Sequence, residues 1–400
     1  MEDGDHFVKG VQETWDLLDR HCAPLHAERV GLDASLGRVL REDVTADEDQ
    51  PPFSRSTMDG YLICANETQS ALRLDGEVKP GMAPRMPESG CAIRVFTGSA
   101  VPDDGAAVVM QEDAERDGDR ITLRMIGGSE HICLCGSHAR RGDVLVSAGS
   151  RLTPGRIALL ASAGMDRPMV SPLVRVAHIT TGSEIVGYGE KPEEGQIRDS
   201  NSPMISALLR EHGADCFFHR RLDESPAALK AAIGDALAAG ADLLLVSGGA
   251  SVGEHDHTRP VLRGAGFDLL VERVNIRPGK PLVVATKDGL VAFGLPGNPL
   301  SHFVCLHLFV RRAITRLMSG ASPAFLHMRV ADAIKPNPRE SWLPCRVRCD
   351  GAEMVLQTLP WRDSSDVTAL AQVQGLLRVP PEGLTQGVVG EFLPTGIFEL

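Results

Sequence analysis

Between Ser247 and Ser301 the chain reads SGGASVGEHDHT, then RPGKP, then GLPGNPLS. Each block is a turn at the end of an apolar run, offering backbone N–H groups, cations or carboxylates. Ser247, Gly248 and Gly249 open the first, and Pro296, Gly297, Asn298, Pro299 and Ser301 make the last. An earlier turn of the same kind, TTGSEI, holds Thr181, Gly182, Ser183 and Glu184. Glycine lets backbone amides approach a phosphate or oxyanion without interference from a Cβ. Asn298 and Ser301 are placed to help cap the following helix, whose N-terminus favours an anion. One such turn alone reads as a chain reversal. Several on one edge of a sheet read as an anion-binding site.

Arg277 and Lys280 bracket the RPGKP turn and would hold two positive charges close together. They suit a terminal phosphate or a tetrahedral oxyanion; the bland alternative is a solvated surface turn. Carboxylates repel anions, so Asp59, Glu184, Asp223 and Asp256 need another role: holding Mg²⁺ that bridges to phosphate oxygens, or handling protons. Glu184 and Asp256 follow strand ends and are the Mg²⁺ candidates. Asp223 could equally serve only to start the helix near Pro226. His255 and His257 flank Asp256, but no third ligand stands at a useful spacing for a transition metal.

These turns need a scaffold. Residues 173–320 alternate strand and helix, with strands expected at Val174–Thr180, Asp215–His219, Asp242–Val246, Leu282–Ala285 and Leu290–Phe293. Helices are expected at Pro203–His212, Pro226–Ala239 and Leu300–Met318. That order predicts a doubly wound, mostly parallel α/β domain, in which ligands sit outside the carboxyl ends of the strands. Before it, AIRVF, AAVVMQE and ITLRM are short strands of a β-rich domain, and LHMRVAD, LPCRVR, MVLQTL and GLLRVP follow it. The N-terminal stretch predicts a helix within 7–26, a second over Leu32–Leu40, and an extended loop after Pro51-Pro52. Pro154–Ala163 reads as a helix with proline in its first turn.

At 400 residues the chain should divide into about two to four domains. With 4% aromatic residues its cores must be aliphatic. A net charge of −12 argues against nucleic acid or an anionic membrane as partner, so an anion site must create its own positive potential. The acidic start MEDGDHFVKG is no secretory signal, and no apolar run approaches a bilayer span. Nine cysteines without a Cys-x-x-Cys suggest reduced thiols and a cytoplasmic location.

Seven segments, PPFSRSTMDGY (51–61), IRVFTGSAVP (93–102), TTGSEI (180–185), GQIRDSN (195–201), SGGASVGEHD (247–256), RPGKP (277–281) and GLPGNP (294–299), occur in an order that resembles the MoeA family of molybdopterin molybdenumtransferases and the related E domain of gephyrin. The resemblance spans nearly the whole chain. It implies a multidomain α/β plus β fold with a C-terminal β-barrel-like domain, in an elongated homodimer. The domains would be 1–50 with 137–172 (linker and dimerisation), 51–136 (β-rich), 173–321 (α/β, molybdopterin-binding) and 322–400 (C-terminal β). The implied reaction inserts molybdate into the dithiolene of adenylylated molybdopterin, with Mg²⁺, and releases AMP. A separate molybdopterin adenylyltransferase would supply the substrate, and apo-molybdoenzymes would receive the product.

Carried onto this sequence, the resemblance gives functional roles to Asp59, Thr97, Glu184, Asp256 and Lys280. It places Pro296 and Pro299 in a turn associated with activity, and aligns Arg339 and Ser365 with C-terminal positions. The β domains of the partner subunit would approach the cleft. The chain also departs from the pattern: Ser137 and His138 stand where Glu and Asp are expected, and Cys133 and Cys135 where arginines are. Arg277 replaces a lysine, turning a compact ammonium into a planar fork. These departures leave open a non-catalytic molybdopterin-binding carrier or scaffold. Molybdate and tungstate, tetrahedral dianions of nearly equal size, are not separated by the sequence.

Overall fold

The computed structural model describes residues 8–125, 131–249, 257–322, 324–351 and 353–396. At its centre is a six-stranded sheet in the order Ala214–Leu222, Val174–Thr181, Leu243–Ser247, Leu290–Leu295, Val283–Lys287, Asp268–Val271. The first four are parallel to one another and the last two join antiparallel. Leu243 to Val246 are wholly buried because both sheet faces are covered. Leu243 and Leu245 enter one core with the helix Asn201–Glu211, while Leu244 and Val246 enter the other with the helix Pro226–Ala238. Burying each such side chain contributes about 1.5–3 kcal/mol. The register aligns Thr180 with Ser247 and Ser247 with Leu295, so three motif-bearing strands end at one level.

Several local expectations change. The helix Thr258–Gly264 and the edge strand Asp268–Val271 were not anticipated, and the strand Val283–Lys287 runs antiparallel. The expected Leu32–Leu40 helix is only a 3-10 turn, Leu32–Ala34. Gly37 adopts φ +76°, and Val39 and Leu40 bridge to Arg151 and Val170 instead. Long-range backbone pairing there outcompetes a short helix, which is marginal by itself. The last helix runs from Pro299 to Leu317 with a π turn over Leu306–Val310.

Around this core lie three further units. A mixed sheet runs Ala106–Met110, Gly60–Cys64, Cys91–Val95, Ala71–Val78, Arg120–Leu123, Ala114–Asp117. Short pairings join early and later chain, Val44–Thr45 with Val144–Val146 and Glu28–Arg29 with Met169–Val170, over a small core that includes Leu40, Leu152 and Leu160. The helix Val11–His21 does not join that core. Its Val11, Trp15 and Leu18 pack into the α/β layer, and the Trp15 indole donates to the Leu308 carbonyl at 2.8 Å. Toward the C-terminus, Glu340–Asp350, Glu353–Thr358, Leu326–Val330, Val389–Pro394 and Gly375–Val379 pair in sequence, and the last pairs back to the first. This ring is a closed five-stranded barrel.

Candidate functional site

The barrel is joined to the α/β sheet at the RPGKP turn. Ile276–Arg277 pairs in parallel with the start of Glu340–Asp350, matching Arg277 to Ser341. A barrel loop, 361–364, reaches the GNP turn: the Asn298 side chain donates to Ser364 Oγ at 2.7 Å, and Leu300 N donates to the Ser364 carbonyl at 3.0 Å. Asn298 therefore occupies the N-cap without a side-chain capping bond. Its amide ties two domains together, contrary to its expected capping role.

These contacts frame a cleft of about 610 Å³. Thr181, Glu184, Gly248 and Gly249 form one wall, and Pro296, Gly297, Asn298 and Ser301 another. Arg277 and Lys280 come from the connecting turn, and Arg339, Trp361, Arg362, Asp363 and Ser364 from the barrel side. Four cations thus face three carboxylates, Glu184, Glu224 and Asp363. The cleft is locally cationic within a chain of net charge −12, as an anion site requires. The Arg277 guanidinium lies over the Trp361 ring at 5.2 Å, which holds its planar fork in place. Arg339 donates to the Ile276 carbonyl at 2.9 Å and braces the same turn.

The floor depends on one close approach. Gly248 has φ +87°, and a Cβ there would lie 2.2 Å from the Thr181 carbonyl oxygen. Hydroxyls fasten the turn on both sides: Thr181 Oγ1 donates to the Ser247 carbonyl at 3.4 Å and Thr258 Oγ1 to the Gly248 carbonyl at 3.2 Å. The Ser247 side chain turns inward and shares a 2.7 Å hydrogen bond with buried His178 Nε2. Thr180, Ser202 and His219 continue this network to Asp199, which accepts from Ser202 N at 2.9 Å at the start of the helix Asn201–Glu211. Burial holds His178 neutral, its pKa well below the ordinary value. His302 is also buried, with a pKa lowered to about 4 by desolvation, and its Nδ1 donates to the Pro296 carbonyl at 2.9 Å.

Not every expected residue reaches the cleft. Gly182, Ser183, Asp223 and Pro299 lie in or beside its loops without lining it; Glu224 lines it in place of Asp223. Asp59 and Thr97 are elsewhere, beside the ends of two neighbouring inner strands of the β-rich sheet, Gly60–Cys64 and Cys91–Val95. There Thr97 donates to Asp59 Oδ1 from its backbone N at 2.8 Å and its hydroxyl at 3.0 Å. Those two bonds, the backbone one first, hold the Asp59 carboxyl below the ordinary carboxylate range. Asp256 and His255 lie outside the described residues.

The altered 133–138 segment sits on the loop that precedes Asp59. Cys133 pairs with Arg55, Cys135 N donates to Ser54 Oγ at 3.0 Å, and Cys133 Sγ lies 3.4 Å from His138 Nε2. Sequence reasoning passed over Glu224, Trp361, Arg362, Asp363 and Ser364. The sequence signals nearest to them were Asp223, beside Glu224, and Ser365, beside Ser364; the Ser365 hydroxyl donates to Asp363 at 2.5 Å.

As a cation site, the cleft offers Glu184 and Glu224, both exposed. Mg²⁺ commonly takes one or two carboxylates and completes its shell with phosphate oxygens and water, which this donor set suits. Among the described residues no cluster of three or more His, Cys, Asp or Glu could hold a metal by itself.

A cationic cleft at the carboxyl ends of parallel strands, closed by a barrel, is the arrangement of an α/β protein that binds an anionic small molecule. Residues 9–164 match the MoeA N-terminal region (domain I and II), and residues 177–316 the probable molybdopterin binding domain. The chain is 32% identical over 375 residues to the molybdopterin molybdenumtransferase of Staphylococcus epidermidis, covering 90% of this chain and 88% of that one. It is likewise 32% identical over 345 residues to that of a Nostoc species, covering 82% and 79%. The crystal structure of the molybdopterin biosynthesis moeA protein from Pyrococcus horikoshii superposes with a TM-score of 0.80 at 25% identity, over 97% of this chain and all of that one. The chain belongs to the MoeA family of molybdopterin molybdenumtransferases. No helix among the described residues is long and apolar enough to cross a membrane.

Proposed function

We propose that this protein inserts molybdenum, supplied as molybdate, into adenylylated molybdopterin and releases AMP. The observation that carries this reading is the convergence of Arg277, Lys280, Arg339 and Arg362 with the strand-end turns on one cleft. Such a site suits a substrate with several phosphate oxygens and a tetrahedral oxyanion to bind beside them. Arg277, fixed against Trp361, would present two parallel donors, and Lys280 a mobile point charge. The amides of Gly248 and Gly249 would approach the anion directly. Pro278, Pro281, Pro296 and the Trp361 ring limit water around the bound groups, which strengthens each charge interaction.

Glu184, with Asp256, would hold Mg²⁺, which when bound neutralises phosphate charge and polarises the phosphoryl group. In this reading the chain divides into 1–50 with 137–172, 51–136, 173–321 and 322–400, and works as a homodimer. Asp59 and Thr97 lie away from their own cleft, and the pair would serve the partner's. A separate adenylyltransferase would provide the substrate.

A second reading, a molybdopterin carrier without turnover, draws on the exposed Ser137 and His138, which put no carboxylate in the 133–138 segment. A single-turnover assay with adenylylated molybdopterin, Mg²⁺ and micromolar molybdate separates the two. Molybdate-dependent AMP release with activation of an apo-molybdoenzyme is expected. Tight binding without release would leave the carrier.

A further inference from the structure

A second cavity, of about 480 Å³, opens at the opposite end of the α/β layer. The helix Asn201–Glu211 spans the distance: Asn201 donates to the Gly297 carbonyl beside the cleft, and His212, its C-cap, lines the second cavity. Eleven residues at 1.5 Å each put the two sites roughly 16 Å apart.

Three arginines line this cavity, Arg151 and Arg156 from the early unit and Arg311 from the last helix. No carboxylate is among its described lining residues, and none of the three is in an ion pair among the described residues. Arg311 is half-buried; burial lowers its pKa, the nearby Glu211 carboxylate raises it, and Arg151 pushes it down again. Each guanidinium spends a donor on a carbonyl: Arg151 on Glu211, Arg156 on Arg151 at 2.6 Å, Arg311 on Pro394 at 2.7 Å. A guanidinium has five N–H groups, so most of the fork remains for another acceptor. The helix C-terminus at His212, with about half a negative charge, and the Glu211 carboxylate near Arg311 offset these three cations only in part.

A second, independent observation points the same way. His212 is 7% exposed, and its Nε2 is buried without a hydrogen-bond partner. An unpaired buried polar atom is costly unless something meets it. Ser150 and Thr315 add hydroxyls to the same wall.

We propose that this cavity is a second anion site, built to take a phosphate-class polyanion between the early unit and the α/β layer, and separate from the transferase cleft. The anion would accept from the free faces of Arg151, Arg156 and Arg311 and meet the unpartnered imidazole of His212. It would thereby lift the like-charge repulsion and fasten the two units together.

The test is isothermal titration of the full chain with pyrophosphate, at constant ionic strength and without divalent metal. It is run in an R277Q/K280Q background, which removes two of the cleft's four cations and so weakens the cleft's own response. One site is expected to remain there, and to weaken by about tenfold or more when R151Q and R156Q are added. R116Q/R124Q in their place makes the same charge change on the β-rich sheet and should leave binding intact. The exposed Arg156 gives a milder variant, R156Q alone, expected to weaken binding severalfold without touching the buried network. The proposal is overturned if R277Q/K280Q does not bind pyrophosphate, or if adding R151Q and R156Q leaves the affinity unchanged.

Discussion

Replacing Gly248 by alanine tests whether the cleft depends on the contact between two strand ends. The new Cβ would sit 2.2 Å from the Thr181 carbonyl oxygen and 3.0 Å from its Oγ1, at φ +87°. The left-handed conformation costs an alanine about 1–2 kcal/mol. Relieving the overlap adds an overpacking cost of about 1–3 kcal/mol. The total, roughly 2–5 kcal/mol, is smaller than the stability of most domains, so the variant should still fold. Its geometry should not survive, because ordinary contact requires the Gly248 and Thr181 strand ends to separate by about an ångström. Glu184 follows Thr181 closely, so the carboxylate wall would shift against Arg277 and Lys280. A displacement of about 1 Å can cost roughly a hundredfold in rate. Gly297 is the control: a Cβ there meets nothing within 4 Å, so G297A should change stability by less than about 0.5 kcal/mol. Urea unfolding and single-turnover AMP release measure the two effects. If G248A matched G297A in stability and kept wild-type turnover, the account of the floor would be wrong.

Lys280→Gln should weaken binding of the phosphorylated substrate by about tenfold to a hundredfold, the worth of a charge-assisted bond, with no change in unfolding midpoint because the side chain is exposed. Acid should destabilise the fold through its buried histidines. Burial lowers the pKa of His302 to about 4 and that of His212 to about 3, whereas the unfolded chain takes up these protons near pH 6.5. The unfolded state binds more protons between those limits, so stability falls as pH drops below about 6.5, by about 1.4 kcal/mol per unit for each such histidine. Urea midpoints from pH 7 to 5 should show this slope. His302→Asn, whose amide can still meet the Pro296 carbonyl, should reduce it, and an unchanged slope would exclude His302 as a source.

The strand-end turns were legible in the sequence because their chemistry is local. Glycine supplies φ values other residues avoid, an apolar run announces a strand, and a doubly wound sheet puts loops after its strands on one edge. Thr181, Glu184, Gly248, Gly249, Pro296, Gly297 and Ser301 all line the cleft for that reason, as do Arg277 and Lys280. The barrel's share was not legible. Trp361, Arg362, Asp363 and Ser364 carry no local signature, and they reach the cleft only because Arg277 pairs with Ser341 and Leu300 with Ser364. The Leu32–Leu40 segment failed as a helix for a similar reason, since partners more than a hundred residues away, Arg151 and Val170, claim its backbone.

By itself, then, the sequence determined the α/β layer, the strands on either side of it, the family and the half of the cleft built from turns, since each rests on patterns within a few residues. Only the tertiary structure decided that a barrel loop closes the cleft, that Asn298 ties domains together rather than capping its helix, and that Asp59 and Thr97 stand apart from their own chain's cleft. Those outcomes depend on which distant backbone and side-chain groups satisfy one another when the core closes, and spacing along the chain does not encode that directly.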